Sequence, residues 1–273
     1  MESSLAAHHP TNPDMPFQPR RAVLGLAVDA VTLGQALDWM AAQIEQRRAT
    51  PEAARSLTAQ VVTLNPEMVM AARRDDALRA AIASAALVVP DGAGVVWAAG
   101  LRQRVAGVDL LTAFAERAAA RGYRLFLLGA APRVADEAAR RLAARHPNLR
   151  IVGTYAGSPA PEELHGIAAR VRASHADAMF VAFGSPAQEH WIAAARPSLG
   201  AAVAIGVGGG LDFVAGRVPR APAWMRRRGL EWLYRLRRQP WRWRRMLALP
   251  RFVLAVGVER LARRWIGMRD DEE

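Results

Sequence analysis

The chain contains no cysteine and no lysine. Without cysteine it can hold neither a disulfide framework nor a thiolate-bound metal, and it suits a reducing cytoplasm. Without lysine every cationic side chain is an arginine; this is read as coding bias, not as chemistry. No run of about 18 uncharged apolar residues occurs, so no membrane-spanning helix is expected. The first twenty residues are polar and Pro-rich, with no apolar stretch of signal-peptide length. Residues 1–20 are therefore expected to form a loose, disordered tail. The six histidines show no metal-ligand spacing, so neither a metal nor a cofactor is assigned.

What is present reads as a folded protein. The 273 residues are 52% hydrophobic and 23% charged, enough apolar material for one large domain or a domain with an appendage. The net charge of +12 is unevenly placed. Residues 217–268 hold fifteen Arg against only Glu231 and Glu259, and five of the eight Trp, so the rest of the chain is nearly neutral. Short β-type runs recur before that segment: AVLGLAV (22–28), AQVVTL (59–64), ALVVP (86–90), YRLFLLG (123–129), LRIVGT (149–154), DAMFVAFG (177–184) and AAVAIGVG (201–208). Ala-, Arg- and Glu-rich stretches with helical spacing separate them. This alternation predicts an α/β fold over residues 21–216, with a mostly parallel, Rossmann-like sheet covered by helices. Gly216 marks the expected junction to a basic helical appendage over 217–273. Pro222, Pro240 and Pro250 are expected to cut that appendage into short helices.

In an open parallel sheet, ligands sit beyond the carboxyl ends of the strands. Each strand end here delivers a small residue with a polar or acidic one: Thr63-Leu64-Asn65-Pro66-Glu67, Asp91-Gly92, Gly129-Ala130, Gly184-Ser185-Pro186-Ala187-Gln188-Glu189, and Gly206–Gly210 followed by Asp212. The convergence suggests a nucleotide-like ligand. Each element also has a plain structural role. Asn65 can cap a helix, Asp91-Gly92 can be a turn, and Gly206–Gly210 can be a tight loop. That loop is not a dinucleotide fingerprint, because Leu211 takes the third glycine position and no clean helix is expected after it. Ser185-Pro186 is expected to cap the next helix. Gln188 is assigned to ligand contact, and Glu189 is left open between ligand and helix-dipole roles.

The Arg- and Trp-rich appendage suits an anionic membrane surface, with Trp at the interface and Arg on headgroups. It also suits nucleic acid, through phosphates and base stacking. Three functions compete at this point: a membrane-associated transferase, a nucleotide-cofactor enzyme such as an oxidoreductase, and a nucleic-acid-binding protein. The missing dinucleotide fingerprint argues against the second.

The ordered set TLNPEMV (63–69), PDGAGVVW (90–97), RVAGVDL (104–110), FLLGA (126–130), FGSPAQEHW (183–191), GVGGGLDFVAG (206–216), RAPAWMRRRGLEWLYRL (220–236) and the Pro-Trp-Arg-Trp-Arg-Arg run (240–245) resembles the WecG/TagA/CpsF family of bacterial glycosyltransferases. The resemblance implies an inverting, metal-independent transferase. It would move N-acetylmannosamine, its uronic acid or glucose from a UDP-sugar to a polyprenyl-diphosphate-linked sugar. The expected setting is the cytoplasmic face of the membrane, in surface polysaccharide synthesis, with an exopolysaccharide or capsule favoured. It implies Asp91 as general base with Thr63 at the same site. It implies Asn65, Arg104, Gln188 and Asp212 in the substrate pocket, and Arg235, Arg242 and Arg245 brought over the site by the appendage. Under this reading nucleic acid is not a partner, the anionic membrane surface is, and a homo-oligomer is a possible resting form. Ser185 and Ala187 depart from residues common in relatives; a small effect on substrate choice is expected.

Overall fold

A computed structural model describes residues 18–240 and 243–270, with side chains described over 20–240 and 243–262. Six strands form one parallel sheet: β3 (Ala59–Leu64), β4 (Leu87–Pro90), β5 (Arg124–Gly129), β6 (Arg150–Tyr155), β7 (Ala178–Ala182) and β8 (Val203–Gly206). Their order is β4-β3-β8-β7-β5-β6, and every pairing is parallel. The expected α/β sheet is present. The central strands β3, β7 and β8 are buried along their whole length, as a sheet covered on both faces requires.

The run AVLGLAV is not one strand. It breaks at Leu24 and Gly25, both at positive φ (49° and 81°). Two successive positive-φ residues make the tight turn of a hairpin, here between β1 (Gln18–Val23) and β2 (Leu26–Ala30). The first described strand thus starts at Gln18, inside the stretch assigned to the tail; residues 1–17 lie outside the described residues. The hairpin protects the edge of the main sheet. Buried Asp29 accepts a hydrogen bond from the Val88 amide at 2.7 Å and pairs with Arg20, also at 2.7 Å. An edge N–H on β4 is thereby satisfied.

Alternation along the strands divides the core. Val61, Val89, Leu125, Leu127, Phe180 and Ile205 face α1 (Leu33–Ala49), α5 (Gly107–Arg121) and α6 (Val134–Arg145), which contribute Met40, Ile44, Phe114 and Ala138. A capping box between Thr32 and Gln35 starts α1. On the opposite face, Phe126, Leu128, Met179 and Val181 meet α7 (Pro161–Ala173) and α8 (Ala187–Ala195). Val62, Leu64 and Val88 meet α2 (Pro66–Ala72), α3 (Asp76–Ala83) and α4 (Ala93–Ala98).

After β8 the chain forms α9 (Gly210–Val214), α10 (Ala223–Arg227), α11 (Glu231–Arg238), α12 (Trp243–Met246) and α13 (Ala248–Asp270). A short helix, α9, does follow the glycine-rich loop, against expectation. The appendage is helical and breaks at Leu247, three residues before Pro250, although the helix that follows is not short. Pro250 lies in the first turn of the 23-residue α13, where its missing N–H has no helical acceptor to lose. Nor is the appendage a separate body at this end. Phe252 and Val256 of α13 are 1% and 2% exposed and complete the cluster around Met68 and Val95.

Phe252 therefore ties the appendage to the sheet domain. The variant Phe252→Ala is expected to lose about 3 kcal/mol of stability, read from the urea midpoint of the full chain. An unchanged midpoint would show that α13 does not rest on this contact.

Candidate active site

The order of strands reverses between β3 and β8, and the crevice of such a sheet opens at the carboxyl ends beside that point. A cavity of about 360 Å³ lies there. Asn65 and Glu67 reach it from the end of β3, Asp91 and Gly92 from the end of β4, and Gly209 from the end of β8. Arg104 borders it just before α5. Glu231, Trp232 and Arg235 of α11 and Phe252 of α13 close it from above.

Asp91 is at its floor. Its amide donates to the Leu64 carbonyl at 2.8 Å, which fixes the residue in line with β3. Gly92 follows at φ 104°, a conformation open to glycine, and starts α4. The Asp91 carboxylate accepts one hydrogen bond, from the Gly107 amide at 3.3 Å. Burial pushes this carboxyl up to about 6; Arg104, the Gly107 amide and Arg235 pull it down, while Glu231 pushes it up. Among the described residues no arginine stands within ion-pair distance of it. Buried Asp29 and Asp177 differ: each is paired with arginine. An ionisable group held near neutrality in a cavity is the usual signature of acid–base work.

Thr63 does not line the cavity. It is buried, its hydroxyl donates to the Gly206 carbonyl at 2.9 Å, and a Cβ on Gly107 would meet its methyl at 3.4 Å. It supports the turn that brings the Gly107 amide to Asp91. Asn65 has both roles: it caps α2 by accepting from the Met68 amide at 3.0 Å, and it borders the cavity. Asp212 is half-buried on α9 near Arg235 but does not line the cavity. Burial raises its carboxyl above the usual range, against Arg235 and Arg217.

Gln188 stands behind the cavity wall. It is 2% exposed, and its Oε1 accepts from the Gly184 and Gly208 amides at 3.2 and 2.9 Å. Its Nε2 donates to Glu189 at 2.8 Å. In this arrangement the side chain braces two strand-end turns. Gly206 has to be glycine for it, since a Cβ there would meet Gln188 at 2.5 Å. Glu189 is fully buried, and burial pushes its carboxyl up to about 7 against hydrogen bonds from Gln188 and Ser185. Ser185 contacts Glu189, and α8 has no side-chain cap; the expected Ser-Pro cap is not formed.

The appendage supplies the upper wall. Arg235 lies over the Phe213 ring at 4.8 Å with its Nε buried and unpartnered; burial lowers its guanidinium below the usual range. Arg245 is on the outer rim, bound to Glu67 at 2.9 Å. Arg242 lies outside the described residues. One charged residue of this wall was not picked from the sequence. Glu231, 9% exposed, receives Arg104 at 3.0 Å and Arg220 at 3.5 Å, and Arg220 also binds Asp109 of α5. The signal was present: Glu231 is one of two carboxylates among fifteen arginines in that segment. Among the described residues no three His, Asp or Glu side chains group as metal ligands.

A cavity at the strand ends, one unpaired carboxylate on its floor and arginines across its roof can take a proton and balance a departing anion. The model of the WecG/TagA/CpsF glycosyl transferase family matches residues 21–266. The chain belongs to that family. Two relatives are each named N-acetylglucosaminyldiphosphoundecaprenol N-acetyl-beta-D-mannosaminyltransferase. One, from Bacillus spizizenii, is 39% identical over 201 residues, 72% of this chain and 77% of the relative. The other, from Bacillus subtilis, is 37% identical over 201 residues, 72% and 78% of the two chains. This WecG/TagA/CpsF member is a glycosyltransferase of the hexosyltransferase class.

The state of Asp91 has a consequence for stability. A carboxyl raised from 3.8 to about 6 on folding costs stability once pH rises above both values, and costs nothing below about 3.8. Asp91→Asn is therefore expected to raise stability at pH 8 by roughly 1–3 kcal/mol and to leave it unchanged near pH 3.5. Chemical denaturation at the two pH values checks this; equal effects at both would place the carboxyl at its ordinary value.

Proposed function

We propose that the chain transfers N-acetylmannosamine from its UDP donor to an N-acetylglucosaminyl-diphosphopolyprenyl acceptor, with inversion and without a metal. The unpaired carboxylate of Asp91 under Arg104 and Arg235 is the observation that carries this reading. The names of the two relatives supply the sugar and the acceptor class. Asp91 takes the proton of the acceptor hydroxyl. The hydroxyl oxygen attacks the anomeric carbon from the side opposite UDP, the bond to the diphosphate oxygen breaks, and UDP leaves with that electron pair. Arg104 and Arg235 balance its charge. Thr63 acts through Gly107 by holding the amide that orients Asp91. Gln188 acts on substrate through the two turns that it braces.

The same reading puts the protein on a membrane surface. Leu247, Leu254, Val258 and Leu261 are 42–70% exposed and lie at spacings of seven, four and three, one stripe of α12–α13. Exposed Trp224, Trp232 and Trp243 stand on the same appendage among its arginines. No described helix is long and apolar enough to cross a membrane. An exposed apolar stripe on a cationic segment fits peripheral attachment to an anionic leaflet. Nucleic acid is less suited, because a phosphate backbone would leave the exposed aliphatic stripe in water.

A donor screen tests the chemistry. The full chain, a polyprenyl-diphosphate-linked N-acetylglucosamine acceptor and a panel of UDP-sugars are incubated in EDTA, with UDP release and product mass followed. Transfer from UDP-N-acetylmannosamine is expected, falling as pH drops through about 6 as Asp91 is protonated. Asp91→Asn is expected to lose at least ~10²-fold in kcat. Arg235→Gln should lose a similar factor with folding intact. Turnover by Asp91→Asn at the parent rate would remove Asp91 as base, and an absolute need for added metal would remove the arginine mechanism. For the surface, Leu254→Glu with Val258→Glu is expected to abolish co-sedimentation with phosphatidylglycerol vesicles at low salt. Undiminished binding would move the contact elsewhere.

A further inference from the structure

A second cavity adjoins the first. It measures about 290 Å³ and lies between α2 on the sheet domain and α12–α13 on the appendage. Glu67 borders both cavities, so the two share a wall. Four arginines line the second: Arg74 beyond the end of α2, Arg244 and Arg245 of α12, and Arg251 of α13. Glu67 is the one acidic residue among them and is bound to Arg245. Among the described residues no carboxylate pairs with Arg74, Arg244 or Arg251. Three arginines thus converge on one space with their charge uncompensated. Like charges brought together repel, so such a cluster is stable in the presence of an anion.

The position of Arg251 narrows the choice of anion. Leu247, Arg251, Leu254 and Val258 fall at spacings of four, three and four, so Arg251 interrupts the exposed apolar stripe at the level of the cavity. A ligand seated on it meets cations inward and aliphatic side chains along the helix. That pattern matches an amphiphile with an anionic head and a hydrocarbon tail. Free phosphate would leave the stripe unused. Phosphate esters suit arginine because its planar fork makes paired, charge-assisted hydrogen bonds.

We propose that this second cavity is the seat of the acceptor's diphosphate. Arg74 and Arg251 grip it, the prenyl chain runs out along Leu247 and Leu254, and the attached sugar reaches past Glu67 to Asp91. The donor's diphosphate then occupies the first cavity, under Arg104 and Arg235. The assignment rests on the glycosyl-transfer reading above and adds to it a separate site for each diphosphate. Because Arg74 belongs to the sheet domain and Arg251 to the appendage, an acceptor in this seat also bridges the two.

Binding of labelled farnesyl diphosphate to the full chain tests the site without needing turnover, so its result is independent of the donor screen. The double variant Arg74→Gln, Arg251→Gln is expected to bind it at least about tenfold more weakly than the parent, with UDP affinity unchanged. Saturating UDP should not displace the probe. Inorganic diphosphate should compete more weakly than farnesyl diphosphate, since it lacks the tail. Binding of the chain to phosphatidylglycerol vesicles should change less than about twofold, because two of many surface arginines are removed. All four arginine ends of the cavity are exposed, so the variant should fold, and its urea midpoint confirms that. Undiminished probe binding by the double variant would overturn the proposal. So would displacement by UDP, which puts the probe in the first cavity. An equal loss of vesicle binding would reduce Arg74 and Arg251 to general headgroup contacts and overturn it as well.

Discussion

Asp91 stands at the end of β4 with its carboxylate half-buried among charges and, among the described residues, paired with none of them. The Gly107 amide touches it, Arg104 and Arg235 act on it through space, and Glu231 draws Arg104 away. If Arg104 closed on Asp91, the carboxyl would sit in the ordinary acidic range and be a poor base. If all positive charge were removed, burial would push it higher still. The rest of the site follows from holding it between those limits. Thr63 and Gly107 set the distance of the amide, and Glu231 sets the allegiance of Arg104.

The appendage does two kinds of work at once. Phe252 and Val256 enter the core, so this helical segment contributes to the stability of the domain beneath it. Its polar ties, Glu231 with Arg104, Arg220 with Asp109 and Arg245 with Glu67, are partly exposed ion pairs that weaken with salt. The apolar anchor and the ionic ties therefore respond to different conditions. One tie involves Arg104, which lines the cavity, and in the proposed mechanism an incoming diphosphate competes for it. Substrate entry and closure of the roof then draw on one cation.

The parallel sheet was legible because β3, β7 and β8 read as short apolar runs between helical stretches. The hairpin was not, because AVLGLAV has a strand's composition and only the positive φ of Leu24 and Gly25 breaks it. Asp91, Asn65, Arg104 and Arg235 could be named from motifs, and the structure brings all four to one cavity. Gln188 shows the limit of such reading. A polar residue at a strand end looks alike whether it faces ligand or, as here, binds two backbone amides behind the wall. Glu231 was passed over because its partners Arg104 and Arg220 are distant in sequence or ordinary in an arginine-rich segment. Burial is what makes it informative, and burial is a property of the fold.

The claim that the appendage completes the site is tested most directly by hydrogen–deuterium exchange of the full chain with and without UDP. Protection of residues 91–94, of 104–107 and of 231–238 in the same titration, at one midpoint, is the expected result. UDP protection confined to 91–107, with α11 exchanging as in the free protein, would contradict the account and leave the roof out of the active site.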